Sequence, residues 1–203
     1  MYILQGIISG LVATIIFDLF NISLNIAYNI EKPKWNFLGR YFLGYKERRY
    51  VRNTLKEDDP VKNELLWGYG IHYMVGIIFG LFYVFLNLLF FNHPSLLIAY
   101  FVGFFSVLGA WCFLMPFAYN IGFFASKTDQ QFNILMQNLI GHFVFGTGLF
   151  IGYYISSFEQ CHDTLCVHRT FGYFHLLLTT LHRSPCDTLR WRRKTFLSSF
   201  KKR

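Results

Sequence analysis

The chain has 203 residues, 54% of them hydrophobic and 21% aromatic, with a mean hydropathy of +0.34. That is too apolar, and at 15% charged residues too poor in charge, for an ordinary soluble domain. The formal charge of +8 does not point to nucleic acid, because the basic residues sit between and after apolar stretches and make no continuous basic face. The lipid bilayer and its anionic headgroups are the expected counterpart, and no nucleic-acid partner is expected.

The first apolar stretch begins without a basic n-region or a small-residue cleavage site and reads as a retained helix rather than a removable signal. It carries an aspartate where a membrane helix should carry none. At steps of three or four residues the positions read Gly6, Gly10, Thr14, Asp18, Asn21 and Asn25, so a helix gathers the small and polar groups onto one drifting stripe. A carboxylate facing lipid is penalised by about 2.5 to 3.5 kcal/mol, so this stripe should face other helices or a wet cavity.

A spanning helix needs about 20 mainly apolar residues. Four stretches qualify, near 3–27, 67–91, 96–124 and 132–155. The predicted fold class is therefore all-α: a four-helix transmembrane bundle over residues 1–155, with a basic, partly amphipathic first loop. Asn92, His93, Pro94 and Ser95 leave room only for a tight turn between the second and third stretches. Ser126 to Gln131 joins the third to the fourth. Pro116 removes a backbone donor and should kink the third helix.

The first loop, Glu31 to Leu66, holds nine Lys or Arg against six acids. Trp35, Leu38, Phe42 and Tyr45 fall at helical spacing, with Arg40 and Lys46 off that face, so Lys34 to Tyr45 could lie flat at the lipid interface or form a basic loop without membrane contact. Trp35, Arg40, Phe42, Tyr45 and Trp67 are the candidate interface residues. Positive-inside counting puts this loop, and Lys127 in the third connection, in the cytoplasm and both termini outside.

The tail, 156–203, has nine further Lys or Arg, mostly beyond Arg183, and is expected to be poorly ordered or interfacial. Phe171 to Leu181 is too short to span. Its sudden enrichment in Cys, His, Arg and Ser also fits a changed reading frame. Cys161, His162, Cys166 and His168 match no usual zinc spacing, Cys112 lies in an apolar stretch, Cys186 lies in the tail, and no CxxC pair occurs. No metal and no cofactor are expected.

Polar groups at membrane depth are the candidate site. Gly68, His72, Gly76 and Gly80 stand four apart in the second stretch; Asn138, His142 and Gly146 share a face in the fourth. At a rise of about 1.5 Å per residue, Asp18 lies roughly 13 Å, His142 roughly 15 Å and His72 roughly 8 Å from the cytoplasmic helix ends. Asn21, Asn120 and Asn138 fill the same half. Asp18, Asn21, His72, Asn138 and His142 are thus candidates for binding a substrate or ion, while a purely structural hydrogen-bonded network is the competing reading.

Together these residues resemble an uncharacterised family of bacterial integral-membrane proteins, domain of unknown function 2938, over about residues 5–154. The likeness rests on Asp18-Leu19, Gly39-Arg40, Glu64 ahead of Trp67-Gly68, His72-Tyr73 and Gly76, then Pro94, Trp111, Pro116, Gly122 and Ala125-Ser126-Lys127-Thr128. It ends at His142, Phe145-Gly146 and Gly148-Leu149. The chain departs from the family pattern at Ala110, Met115 and Asp129, where the pattern has Pro, Gln and Pro, and the tail has no counterpart. The resemblance implies a four-helix inner-membrane protein and supplies no catalytic residues.

Three functions remain in view. Permeation of a small solute, ion or proton would use Asp18 with the histidines as relay groups, and with only four spans would call for a homo-oligomer. A non-transporting scaffold would dock partners on its glycine faces. A membrane-embedded metalloenzyme would take Asp18, His72 and His142 as ligands, though no HExxH or histidine-box spacing supports it.

Overall fold

A computed structural model describes residues 2–45, 59–91 and 93–162, the side chains of 45 and 158–162 excepted. Its helices follow the apolar runs. The first, α1, spans Tyr2–Tyr28 and ends where Asn29 turns left-handed (φ 53°), with Asn25 Nδ2 donating to Ile30 O at 2.9 Å. Then come α2 (Trp35–Tyr45), α3 (Glu64–Phe90), α4 (Leu96–Gly109, continued by a π-helical stretch Ala110–Ala118) and α5 (Gln131–His162). There is no strand among the described residues. Four of the five helices, Tyr2–Tyr28, Glu64–Phe90, Leu96–Ala118 and Gln131–Ser157, are long and apolar enough to cross a membrane, which makes this a multi-pass membrane protein. Their outer faces are apolar too: Ile26 is 80%, Leu97 74% and Phe132 72% exposed.

Residues 1–156 form one compact unit. Within it α1 lies between α3 and α5. Gly6, Gly10 and Thr14 meet α3 at Gly76, Ile77, Gly80 and Leu81; a Cβ on Gly80 would strike Gly6 O and stand 2.6 Å from Gly10 Cα. On its other side Ser9 and Ala13 meet Gly152 and Gly148 of α5, and Ser9 Oγ donates to Leu149 O at 2.8 Å. Of the expected stripe, Gly6, Gly10, Thr14 and Asp18 face α3, and a second face that the sequence did not single out, Ser9, Ala13 and Phe17, meets α5. Without a hydrophobic force between helices in lipid, such close backbone approach supplies the contact energy. On α5, Gly146 stands against Ala99 of α4, and Gly103 of α4 against His142 O.

The α3–α4 turn is held by two fully buried side chains of α3. Asn87 Oδ1 accepts the Ser95 N–H at 2.8 Å, and the Tyr83 hydroxyl donates to Ser95 O at 3.1 Å. The reading of Asn92 as a turn residue lies outside the described residues.

The third span stops at Ala118, not near 124 as expected. Pro116 cannot donate and its ring crowds the preceding turn, and there the helix widens to π geometry, Tyr119 N bonding Leu114 O at 2.9 Å. Left-handed Asn120 (φ 53°), Gly122 (φ 81°), Phe124 (φ 52°) and Ala125 (φ 55°) then keep the chain from resuming a helix before α5.

Candidate functional site at membrane depth

Asp18 sits on α1 one turn beyond Thr14, facing α3. Both its carboxylate oxygens are used there: His72 Nε2 lies 3.1 Å from Oδ1, and the Tyr73 hydroxyl donates to Oδ2 at 3.1 Å. Since a carboxylate only accepts, Nε2 of His72 carries the hydrogen. Asp18 and His72 are 17% and 14% exposed, so this pairing lies largely out of contact with solvent or lipid.

His72 is boxed in by aromatic rings. Trp35 of α2 stacks on it at 3.8 Å and 19°, and Phe17 of α1 approaches at 5.8 Å. Phe17 also meets His142 of α5, edge-on at 5.6 Å, so one phenyl ring stands beside both imidazoles. His142 is fixed from its far side: its Nδ1 is 2.7 Å from Ser106 Oγ of α4, which also donates to Gly103 O at 2.7 Å. A hydroxyl has one hydrogen. With that hydrogen on Gly103 O, Nδ1 of His142 is the donor to Ser106 and Nε2 keeps a free lone pair.

Beneath α2 a cavity of about 1270 Å³ runs inward from the first-loop end of the bundle. Glu31, Lys32 and Lys34 stand on its wall near the mouth; Asn21, Gln137 and Asn138 line it further in, and His72, Ser106 and His142 near its floor. Phe17, Phe20, Phe37, Phe79 and Phe145 supply much of the remainder. Beyond them toward the α3–α4 turn the bundle closes on Tyr83, Ala99, Val102 and Leu149, all fully buried.

Of the residues singled out from sequence, Asn21, His72, Asn138 and His142 line this cavity, and Asp18 does not: it stands behind His72. Asp18, His72 and His142 do not converge on one point, and among the described residues no three His, Cys, Asp or Glu side chains are grouped to hold a metal ion. Asn21 Nδ2 donates to Phe17 O at 2.9 Å and its Oδ1 accepts from Gln137 Nε2 at 3.5 Å; Asn138 Nδ2 donates to Ile134 O at 2.9 Å. Pro116 lies in the π-helical stretch that passes Leu114 and Met115 along the cavity wall.

The interface residues divide. Phe42 and Trp67 point outward, 46% and 55% exposed, whereas Arg40 is only 4% exposed. Arg40 does not reach lipid headgroups, because Glu64 at the start of α3 takes its guanidinium in two bonds, Nε to Oε2 at 2.6 Å and Nη2 to Oε1 at 2.8 Å. Asn36 Nδ2 and the Val61 N–H also donate to Glu64, at 3.4 and 3.0 Å. Gly39 and Gly68 let α2 and α3 meet at backbone distance, a Cβ on Gly39 striking Glu64 O and one on Gly68 striking Trp35 O. Trp35 turns inward onto His72. The side chain of Tyr45, the later part of the first loop with Lys46, and the tail residues Cys161, His162, Cys166, His168 and Cys186 lie outside the described residues and side chains.

Ser106 and Phe17 were missed from sequence. Ser106 had a signal, as the one hydroxyl from Ser or Thr in an otherwise apolar third stretch; Phe17 had none, being one of 25 phenylalanines.

The fold and site define a four-span helical membrane protein with a buried Asp–His–Tyr group behind a cavity open at one end of the bundle. The family described as a protein of unknown function, DUF2938, matches residues 7–156, and the chain belongs to it. No curated protein and no solved structure matches it.

Proposed function

We propose that the protein lets a small solute, ion or proton permeate the membrane through this cavity, with His72 as the proton-accepting group and Asp18 as the carboxylate that orients and balances it. The observation that carries the reading is the backing of a cavity-lining histidine by a carboxylate at membrane depth, an arrangement costly in lipid and useful for moving charge. A proton taken up on Nδ1 of His72 leaves Nε2–H on Asp18, so the imidazolium forms against a fixed negative charge.

In this reading the membrane is the bacterial inner membrane and the cavity opens to the cytoplasm, since the first loop carries nine Lys or Arg. Those of them other than Arg40, which Glu64 holds, meet anionic lipid headgroups. Four spans are few for a complete carrier, so the working unit is a homo-oligomer. The scaffold alternative leaned on free glycine faces, yet most of those glycines are taken up between α1, α3, α4 and α5. The metalloenzyme reading has three ligands on three helices without a common centre.

The test is proton uptake by proteoliposomes loaded with a pH-sensitive dye. The wild type is expected to conduct, and Asp18→Asn to lower the rate by about tenfold to a hundredfold, the worth of a hydrogen bond to a charged group. Equal rates in the two would remove the role given to Asp18.

A further inference from the structure

The two histidines differ in sequence context but present the same chemistry to the cavity. His72 gives Nε2–H to Asp18, and with the Ser106 hydrogen on Gly103 O, His142 gives Nδ1–H to Ser106. Among the described residues neither His72 Nδ1 nor His142 Nε2 has a hydrogen-bond partner, and both rings line the cavity on either side of Phe17. Both nitrogens are reachable from the cavity, so each is an acceptor open to a donor carried by a ligand.

No cluster of carboxylates is there to hold a resident cation: among the described residues the only carboxylate on the cavity wall is Glu31, near the mouth, while Asp18 is screened by His72. A volume of about 1270 Å³ exceeds even the roughly 300 to 1,000 Å³ of usual small-molecule sites, and the wall is largely phenyl and aliphatic. The complementary ligand has an apolar, preferably aromatic body and an O–H to donate.

We infer that the cavity binds a lipophilic weak acid of the phenol type, whose hydroxyl donates to His72 Nδ1 or His142 Nε2 while its ring packs against Phe17 and its neighbours. The inference shares its cavity with the permeation reading but requires no flux. Aromatic stacking and edge contacts with Phe17, Phe79 and Phe145 would hold the ring, and Trp35 on His72 would close the site from the α2 side.

The experiment compares 2-naphthol with 2-methoxynaphthalene, nearly the same shape without the donor. Each is titrated against the full chain in nanodiscs, with histidine ring resonances followed by NMR on ¹³C,¹⁵N-histidine-labelled protein. Naphthol is expected to shift the rings of His72 and His142 saturably, and the methoxy compound to bind about tenfold more weakly, the loss of one hydrogen bond to a buried acceptor. His142→Phe, which keeps the ring volume, identifies the His142 signal, and His72→Gln keeps a polar side chain beside Asp18. Equal binding of the two compounds, or no saturable shift with naphthol in the wild type, overturns the inference. Naphthol binding by a protein that conducts no protons would keep it and remove proton permeation; proton flux without naphthol binding would do the reverse.

Discussion

Arg40 and Glu64 are the pair on which the placing of α2 depends. The guanidinium is buried and its carboxylate partner is nearly so, so removing either side leaves an uncompensated charge. Glu64→Gln or Arg40→Met is expected to destabilise the protein by about 3 kcal/mol, read from thermal unfolding in mild detergent. The double variant Arg40→Met with Glu64→Leu should recover much of that loss, because no charge is then left unpaired. The sequence marked Arg40 as a lipid-interface candidate and as part of the family likeness, but gave it no partner. A partner 24 positions away, across a loop, has no periodicity by which to find it. Asp18 was legible for the opposite reason: a carboxylate in an apolar run is anomalous whatever surrounds it. Its partner was legible only as one of two histidines at similar depth. Only helix rotation selects His72 and Tyr73 for direct contact and leaves His142 to Ser106.

At the scale of the element, contact between α1 and α3 is made by glycines whose hydrogens are the contact surface. Gly80→Ala would push a methyl into Gly6 O and Gly10, both backbone of α1, which can yield only by separating the helices. We expect a loss of about 1 to 3 kcal/mol, measured by the same detergent melt. Gly70→Ala on the same helix meets nothing within 4 Å and should be neutral or stabilising by up to about 1 kcal/mol, from backbone entropy alone. Sequence spacing singled out Gly68, Gly76 and Gly80, four apart, and left Gly70 off that column, but it could not say which helix the column meets. The end of the third span was misjudged for a related reason. Hydropathy continues smoothly through Ile121, Phe123 and Phe124, while the helix has already ended at Ala118 and the backbone turns left-handed from Asn120, after Pro116.

Across the whole molecule, the antiparallel order of four spans puts the α1–α2 connection, the mouth of the cavity and the α4–α5 connection at one end, and the α3–α4 turn at the other. Cysteines placed singly at Lys32 and Lys127 should therefore label from the same side of the membrane with an impermeant maleimide, and one at Pro94 from the opposite side. With the first loop in the cytoplasm, Lys32→Cys and Lys127→Cys react in inverted vesicles and Pro94→Cys in spheroplasts; the reverse pattern would turn the cavity outward. The sequence by itself determined the class, the number of spans and their alternation, because crossing a bilayer is a local demand: each segment must be long, apolar and internally hydrogen-bonded. It also determined that polar groups would gather in the first-loop half, since position along a helix converts directly into depth. Only the tertiary structure decided that Asp18 stands behind His72 rather than in the cavity, that Trp35 and α2 cover the site, and that two imidazole lone pairs face one space. Those outcomes follow from how far each helix is rotated about its axis, and that angle is set by which small residues let two backbones touch.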